Sequence, residues 1–163
     1  MDPTLTKLPA SLAAQARHVS FAGVPAMVVH PDWTAPAPML LWMHGRTAFK
    51  ELDNGRYLRL LRKGIGSIAL DLPGHGERKE PGADHASESV RVVSQMIDEI
   101  ANALEEALNL YSEFIDQDKL AIGGMSAGGM ATLRRLCDDH PFKCALVEGT
   151  TGMLCKLYFP KEG

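Results

Sequence analysis

The chain has 163 residues, 45% hydrophobic and 23% charged, enough for one packed domain and too few for two of ordinary size. Its 17 basic and 20 acidic residues leave a net charge of -3, with no electrostatic footprint for nucleic acid, and no apolar run is long enough to cross a bilayer. Residues 1–16 lack the basic head and continuous apolar run of a secretory signal. The three cysteines, Cys137, Cys144 and Cys155, form no CxxC pair. They read as reduced thiols, buried as small hydrophobes, in a cytoplasmic protein.

In chain order, residues 1–16 read as an N-terminal extension and residues 17–163 as the domain. Residues 17–30 alternate weakly around Gly23-Val24-Pro25 and predict an antiparallel hairpin. After a proline-rich loop, Met39-Leu40-Leu41-Trp42-Met43 is an apolar run suited to a strand buried on both faces. A helix is expected over about 50–63, with Leu52, Leu58 and Leu61 as apolar positions and Gly64 closing it. Residues 67–70 predict a second buried strand, and 77–85 a polar loop.

The longest helix is expected from about 87 to 114, with Ser87 and Glu88 in its cap region. Its apolar face is read as Val90, Val93, Ile97, Ile100, Leu104, Leu108 and Tyr111. A third strand at 119–122 runs into Gly123-Gly124-Met125-Ser126-Ala127-Gly128-Gly129, a helix covers about 129–139, and a fourth strand spans 144–147. Strands alternating with helices after a hairpin predict an α/β fold with a mainly parallel sheet and flanking helices. Ligand sites in such sheets lie beyond the carboxyl ends of the strands. His44-Gly45-Arg46-Thr47, the run from Asp71 to Gly76, and the serine motif all fall there.

The serine motif carries the chemistry. A serine hydroxyl needs a base to take its proton and must stand unshielded on a sharp strand-to-helix turn. Such a turn tolerates only small residues two before and two after the serine, a condition met by Gly124 and Gly128. Ser126 is therefore the candidate nucleophile. The N–H of Ala127 is one candidate oxyanion donor, and the N–H of Arg46 the second, with Thr47 as the fallback. The competing phosphate-binding reading is weak, because Gly128 is followed by Gly129 and Met130 and not by the lysine of a P-loop.

Residues 39–47, 67–78 and 119–129 together resemble the α/β-hydrolase superfamily. The run Asp71-Leu72-Pro73-Gly74-His75-Gly76-Glu77-Arg78 is similar to that of dienelactone-hydrolase-like and prolyl-oligopeptidase-like esterases. The resemblance covers roughly residues 17–147 and implies the N-terminal portion of that fold. It implies a carboxylesterase-like serine hydrolase that acts through an acyl-enzyme on a small-molecule ester, without metal or other cofactor. Peptidase, thioesterase and lactonase chemistry would use the same machinery.

The histidines do not complete a triad. His44, His75 and the neighbouring Asp71 read as structural, His140 as a solvated helix end, and the scattered histidines make no metal site. Arg46 and Arg78 could meet a substrate anion, with surface solvation the better reading for Arg78. The family order places an acid and then a histidine after the serine, yet residues 150–163 hold no histidine and only Glu162 as an acid. The domain is therefore expected to be incomplete on its C-terminal side, with the base outside it. The alternative is a non-catalytic binding or assembly module on the hydrolase fold. With the domain incomplete on its C-terminal side, residues 144–147 would form an exposed apolar edge, which predicts self-association.

Overall fold

A computed structural model describes residues 8–83 and 85–153. The elements are α1 (Ala10–Ala13), β1 (Ala16–Phe21), β2 (Val24–Val29), β3 (Ala37–Met43), α2 (Asn54–Leu61), β4 (Gly66–Leu70), α3 (Ser89–Leu110), β5 (Ile115–Met125), α4 (Ala127–Arg135) and β6 (Cys144–Glu148). The strands form one sheet in the order β1-β2-β4-β3-β5-β6. β1 pairs antiparallel with β2, and β2 with β4, whereas β3 runs parallel to β4 and β5, and β5 parallel to β6. The expected α/β class, the opening hairpin and the mainly parallel sheet are all present.

The apolar runs explain the layering. Along β3, Met39, Leu41 and Met43 belong to one core with α3 and α4, while Leu40 and Trp42 belong to a second with α2 and Leu12 of α1. This period-two division of a wholly apolar strand is what a sheet covered on both faces requires. β3 lies between β4 and β5, so the backbone leaves β3 in one direction, then crosses back over it. That reversal is a topological switch point, and it opens a crevice at the carboxyl ends of β3 and β5.

Several boundaries differ from expectation. The helix placed at 50–63 begins at Asn54, because Lys50 and Glu51 are drawn inward by charged partners instead of turning helically, and Leu52 is exposed. Gly64 does close this helix. It takes φ +70°, and the Ile65 N–H donates to the Leu60 carbonyl at 3.0 Å. The long helix is preceded by a 3-10 turn over Ala86–Glu88 and stops at Leu110. Its buried face is Val92, Val93, Met96, Ile100, Ala103, Leu104 and Ala107, with Val90 outside it. Alanine and methionine close the stripe, so a pattern drawn from the larger apolar residues was rotated.

β5 is longer than 119–122. Ile115 pairs with Ala37 and Leu120 with Met39, so the residues between bulge out and hide the strand's start. α4 spans Ala127–Arg135 and not 129–139, starting as soon as the serine turn is complete. The thiols of Cys137 and Cys144 are exposed and not buried, and Cys155, like Glu162, lies outside the described residues. Cys144 is exposed because β6 has β5 as its partner and, among the described residues, no element covers its outer edge. Among the described residues no helix is long and apolar enough to cross a membrane.

Candidate active site

Ser126 stands between the last residue of β5 and the first of α4, with φ 49° and ψ -113°. A side-chain-bearing residue held there stores about 1–3 kcal/mol of strain, so its surroundings must over-determine it. They do. Its N–H donates to the Glu148 carbonyl at 2.8 Å, and its carbonyl accepts from Met130 N–H at 2.9 Å and from Thr150 Oγ1 at 2.9 Å. The hydroxyl makes no capping bond to α4.

The flanking glycines are steric requirements. A Cβ on Gly124 would lie 2.3 Å from the Gly128 carbonyl carbon, and one on Gly128 would lie 2.3 Å from the Met43 carbonyl oxygen. α4 thus starts pressed against the end of β3. A Cβ on Gly45 would come 3.4 Å from Cβ of Ser126, so the loop after β3 is packed against the serine turn. The structure therefore brings together Gly124, Ser126, Ala127 and Gly128 with the loop after β3. Ala127 is the first residue of α4, and its N–H has no acceptor within the helix. Arg46 and Thr47 follow Gly45, with Thr47 at φ 65°.

A buried charge cluster supports this loop. Lys50 has a fully buried side chain whose Nζ lies 2.8 Å from Asp71 Oδ2, 2.5 Å from Glu77 Oε1 and 3.1 Å from Glu51 Oε1. Its N–H donates to Asp71 Oδ1 at 2.9 Å, and its carbonyl accepts from the Tyr57 hydroxyl at 2.7 Å. Asp71 also accepts from the Glu77 N–H at 3.0 Å. Burial alone would push the Asp71 carboxyl up, but the Lys50 ammonium and the Glu77 amide outweigh it and hold it at about 2. Burial would likewise depress Lys50, yet Asp71 and Glu77 raise it above its ordinary 10.5. One lysine thus ties the 44–50 loop to the turn after β4.

The histidines divide as expected. His44 Nδ1 lies 2.6 Å from the Gly45 carbonyl, and its Nε2 accepts from the Leu72 N–H at 3.0 Å. Both ring nitrogens are committed to the two loops, so the ring is structural. His75 Nδ1 lies 2.8 Å from the Pro73 carbonyl. His140 is exposed. Among the described residues, which include all six histidines, no hydrogen bond joins one to the Ser126 hydroxyl. No group of three metal-ligating side chains occurs among them either.

The reading of Arg78 as a solvated surface residue is corrected. Its guanidinium pairs with both carboxylate oxygens of Glu99 at 2.7 Å and donates to the Asp71 carbonyl at 3.3 Å, which staples the turn after β4 to α3. Sequence reasoning also missed Lys50, Arg56 and Glu148. A lysine-glutamate pair inside a supposed amphipathic helix was the one available signal for Lys50. Two open depressions, of about 260 Å³ beside His85 and Arg91 and about 240 Å³ beside Met39 and Leu120, do not include Ser126 in their linings.

A strained serine thus stands between a parallel strand and a helix, at a switch point and against a His-Gly loop. Residues 27–160 match the model of the alpha/beta hydrolase family, and the protein belongs to that family. No curated protein matches the sequence. Among solved structures, the fold is similar to TT1662 from Thermus thermophilus, with TM-score 0.71, 23% identity, and 91% of this chain against 59% of that one. It is also similar to an acylaminoacyl peptidase of Pyrococcus horikoshii (0.65, 19% identity, 90% of this chain and 26% of that one). A third likeness is to a cold-adapted esterase from an Arctic intertidal metagenomic library (0.62, 23%, 81% and 58%). The sequence therefore spans less than two thirds of each of these proteins, and at such identities the likeness concerns the fold.

Proposed function

We propose that this protein carries the nucleophile and oxyanion hole of a serine hydrolase acting on small carboxylic esters. The observation that supports this best is the strained φ 49° of Ser126, held between two glycines that leave no room for a Cβ. A binding module has no need of that strain. In the proposed reaction, Ser126 Oγ bonds to the ester carbonyl carbon and gives its proton to a base. The N–H groups of Ala127 and Arg46 receive the oxyanion. The tetrahedral intermediate expels the alcohol, which takes up that proton, and water then cleaves the acyl-enzyme.

With no histidine hydrogen-bonded to the Ser126 hydroxyl among the described residues, the base is proposed to come from outside these 163 residues. Nucleophile and oxyanion hole without the full triad retain about 10³-fold of catalysis over water. An added base should then raise the rate.

The test is incubation with a fluorophosphonate probe, with and without imidazole, followed by mass analysis of the peptide holding Ser126. Slow labelling at Ser126, accelerated by neutral imidazole and abolished in Ser126→Ala, is expected. No label under either condition would overturn the proposal in favour of a binding module.

A further inference from the structure

Three bonds hold Ser126 in its strained conformation. One comes from α4 itself, and the other two come from the end of β6 and the residues just after it, through the Glu148 carbonyl and the Thr150 hydroxyl. β6 is poorly anchored for that task. Its strand residues are largely exposed, with Leu146 at 42% and Val147 at 37%, and its ladder runs along β5.

The Glu148 side chain has a strong partner elsewhere. Arg56 of α2 donates from Nη1 and Nη2 to its two carboxylate oxygens at 3.0 and 2.8 Å, a bidentate fork. Arg56 is itself fixed. Its Nε donates to Asp53 Oδ2 at 3.0 Å, and its guanidinium lies 3.9 Å over the Trp42 ring. Trp42 in turn packs where a Cβ on Gly123 would stand, 3.0 Å away. A single arginine therefore connects α2, the carboxyl end of β3 and the acceptor of the Ser126 amide.

We propose that the Arg56–Glu148 pair is a positioning clamp for the nucleophile turn: Arg56 locks the end of β6 so that the Glu148 carbonyl holds the Ser126 N–H. Neither residue touches the reacting atoms. The inference rests on Ser126 being the nucleophile for its functional meaning, but amide exchange reads the clamp directly.

The experiment measures hydrogen exchange at the Ser126 amide in the whole protein, as wild type, Glu148→Gln, Arg56→Lys and Arg56→Met. The Gln variant keeps the shape of Glu148, and the Lys variant keeps the charge but not the fork. Loss of a partly exposed bidentate pair should speed exchange about fivefold, the equivalent of ~1 kcal/mol of local opening. Arg56→Lys is expected between wild type and Arg56→Met. Amides of the β1–β2 hairpin should keep their wild-type rates.

An unchanged Ser126 amide in Glu148→Gln overturns the clamp. An equal acceleration across Ser126 and the hairpin also overturns it, since that marks a general loss of stability. Probe labelling of the same samples separates the two ideas. If wild type fails to label while its Ser126 amide still responds to the variants, the catalytic reading falls and the clamp stands.

Discussion

Replacing Gly128 by alanine tests the packing that presents Ser126. The added Cβ would lie 2.3 Å from the Met43 carbonyl oxygen and 2.6 Å from that of His44. Ordinary contact begins near 3.4 Å, so α4 or the end of β3 must move by about 1 Å. Neither gives easily, because Met43 is paired on one side with Leu70 and on the other with Gly124. Overpacking typically costs about 1–3 kcal/mol, and a collision with paired main chain belongs at the upper end. At roughly 2–4 °C per kcal/mol for a protein of this size, a cost of ~3 kcal/mol lowers Tm by about 6–12 °C. Gly124→Ala, meeting only main chain of Gly128 and Gly129, should behave alike. Gly55→Ala is the internal contrast. It lies in α2, where its Cβ would meet only the flexible end of Arg59 at 3.5 Å, and should raise stability by up to ~1 kcal/mol. Thermal melts of the three variants, followed by circular dichroism, decide the matter. If Gly128→Ala melts at or above wild type, the close crossing of α4 over β3 is wrong.

Other consequences follow from the same structure. Lys50→Met leaves the buried Asp71 and Glu51 carboxylates without their ammonium and should cost about 3–5 kcal/mol in urea unfolding; a neutral result would refute the role given to the cluster. Ser126→Gly removes the strained Cβ and should stabilise by about 1 kcal/mol while abolishing probe labelling, an assignment undone by a less stable variant. Asp71 has a folded pKa of about 2 against an ordinary 3.8. Its contribution, about 2 kcal/mol, is therefore fully present above pH 3.8 and lost as pH falls from there through 2. Asp71→Asn should flatten that limb of the stability curve, and an unchanged acid limb would count against the shift. The open edge of β6 is proposed to drive self-association, which Leu146→Lys should reduce; monodisperse wild-type monomer in light scattering would contradict this.

Much of this was legible in the primary structure. Apolar runs at 39–43 and 67–70 suit strands covered on both faces, and Gly-x-Ser-x-Gly after a strand suits a tight turn, so the fold class and the place of the serine turn followed from local chemistry. Helix α3 was legible in existence but not in facing, because Ala103 and Ala107 bury as fully as leucine and carry little signal. β5 was shortened by a bulge that no periodicity marks.

What tertiary structure alone decided is the ionic framework. Lys50 and Asp71 are 21 residues apart, and Arg56 and Glu148 are 92 apart. Charged residues are ordinarily solvated, so apart from the adjacent Lys50-Glu51 pair nothing local distinguishes these from surface charges such as Arg62. Their meaning arises when β3, β4 and β6 end on the same side of one sheet and bring their loops within hydrogen-bond reach. The sequence by itself determined where a strained serine would be, and the packing of distant segments determined what holds it there.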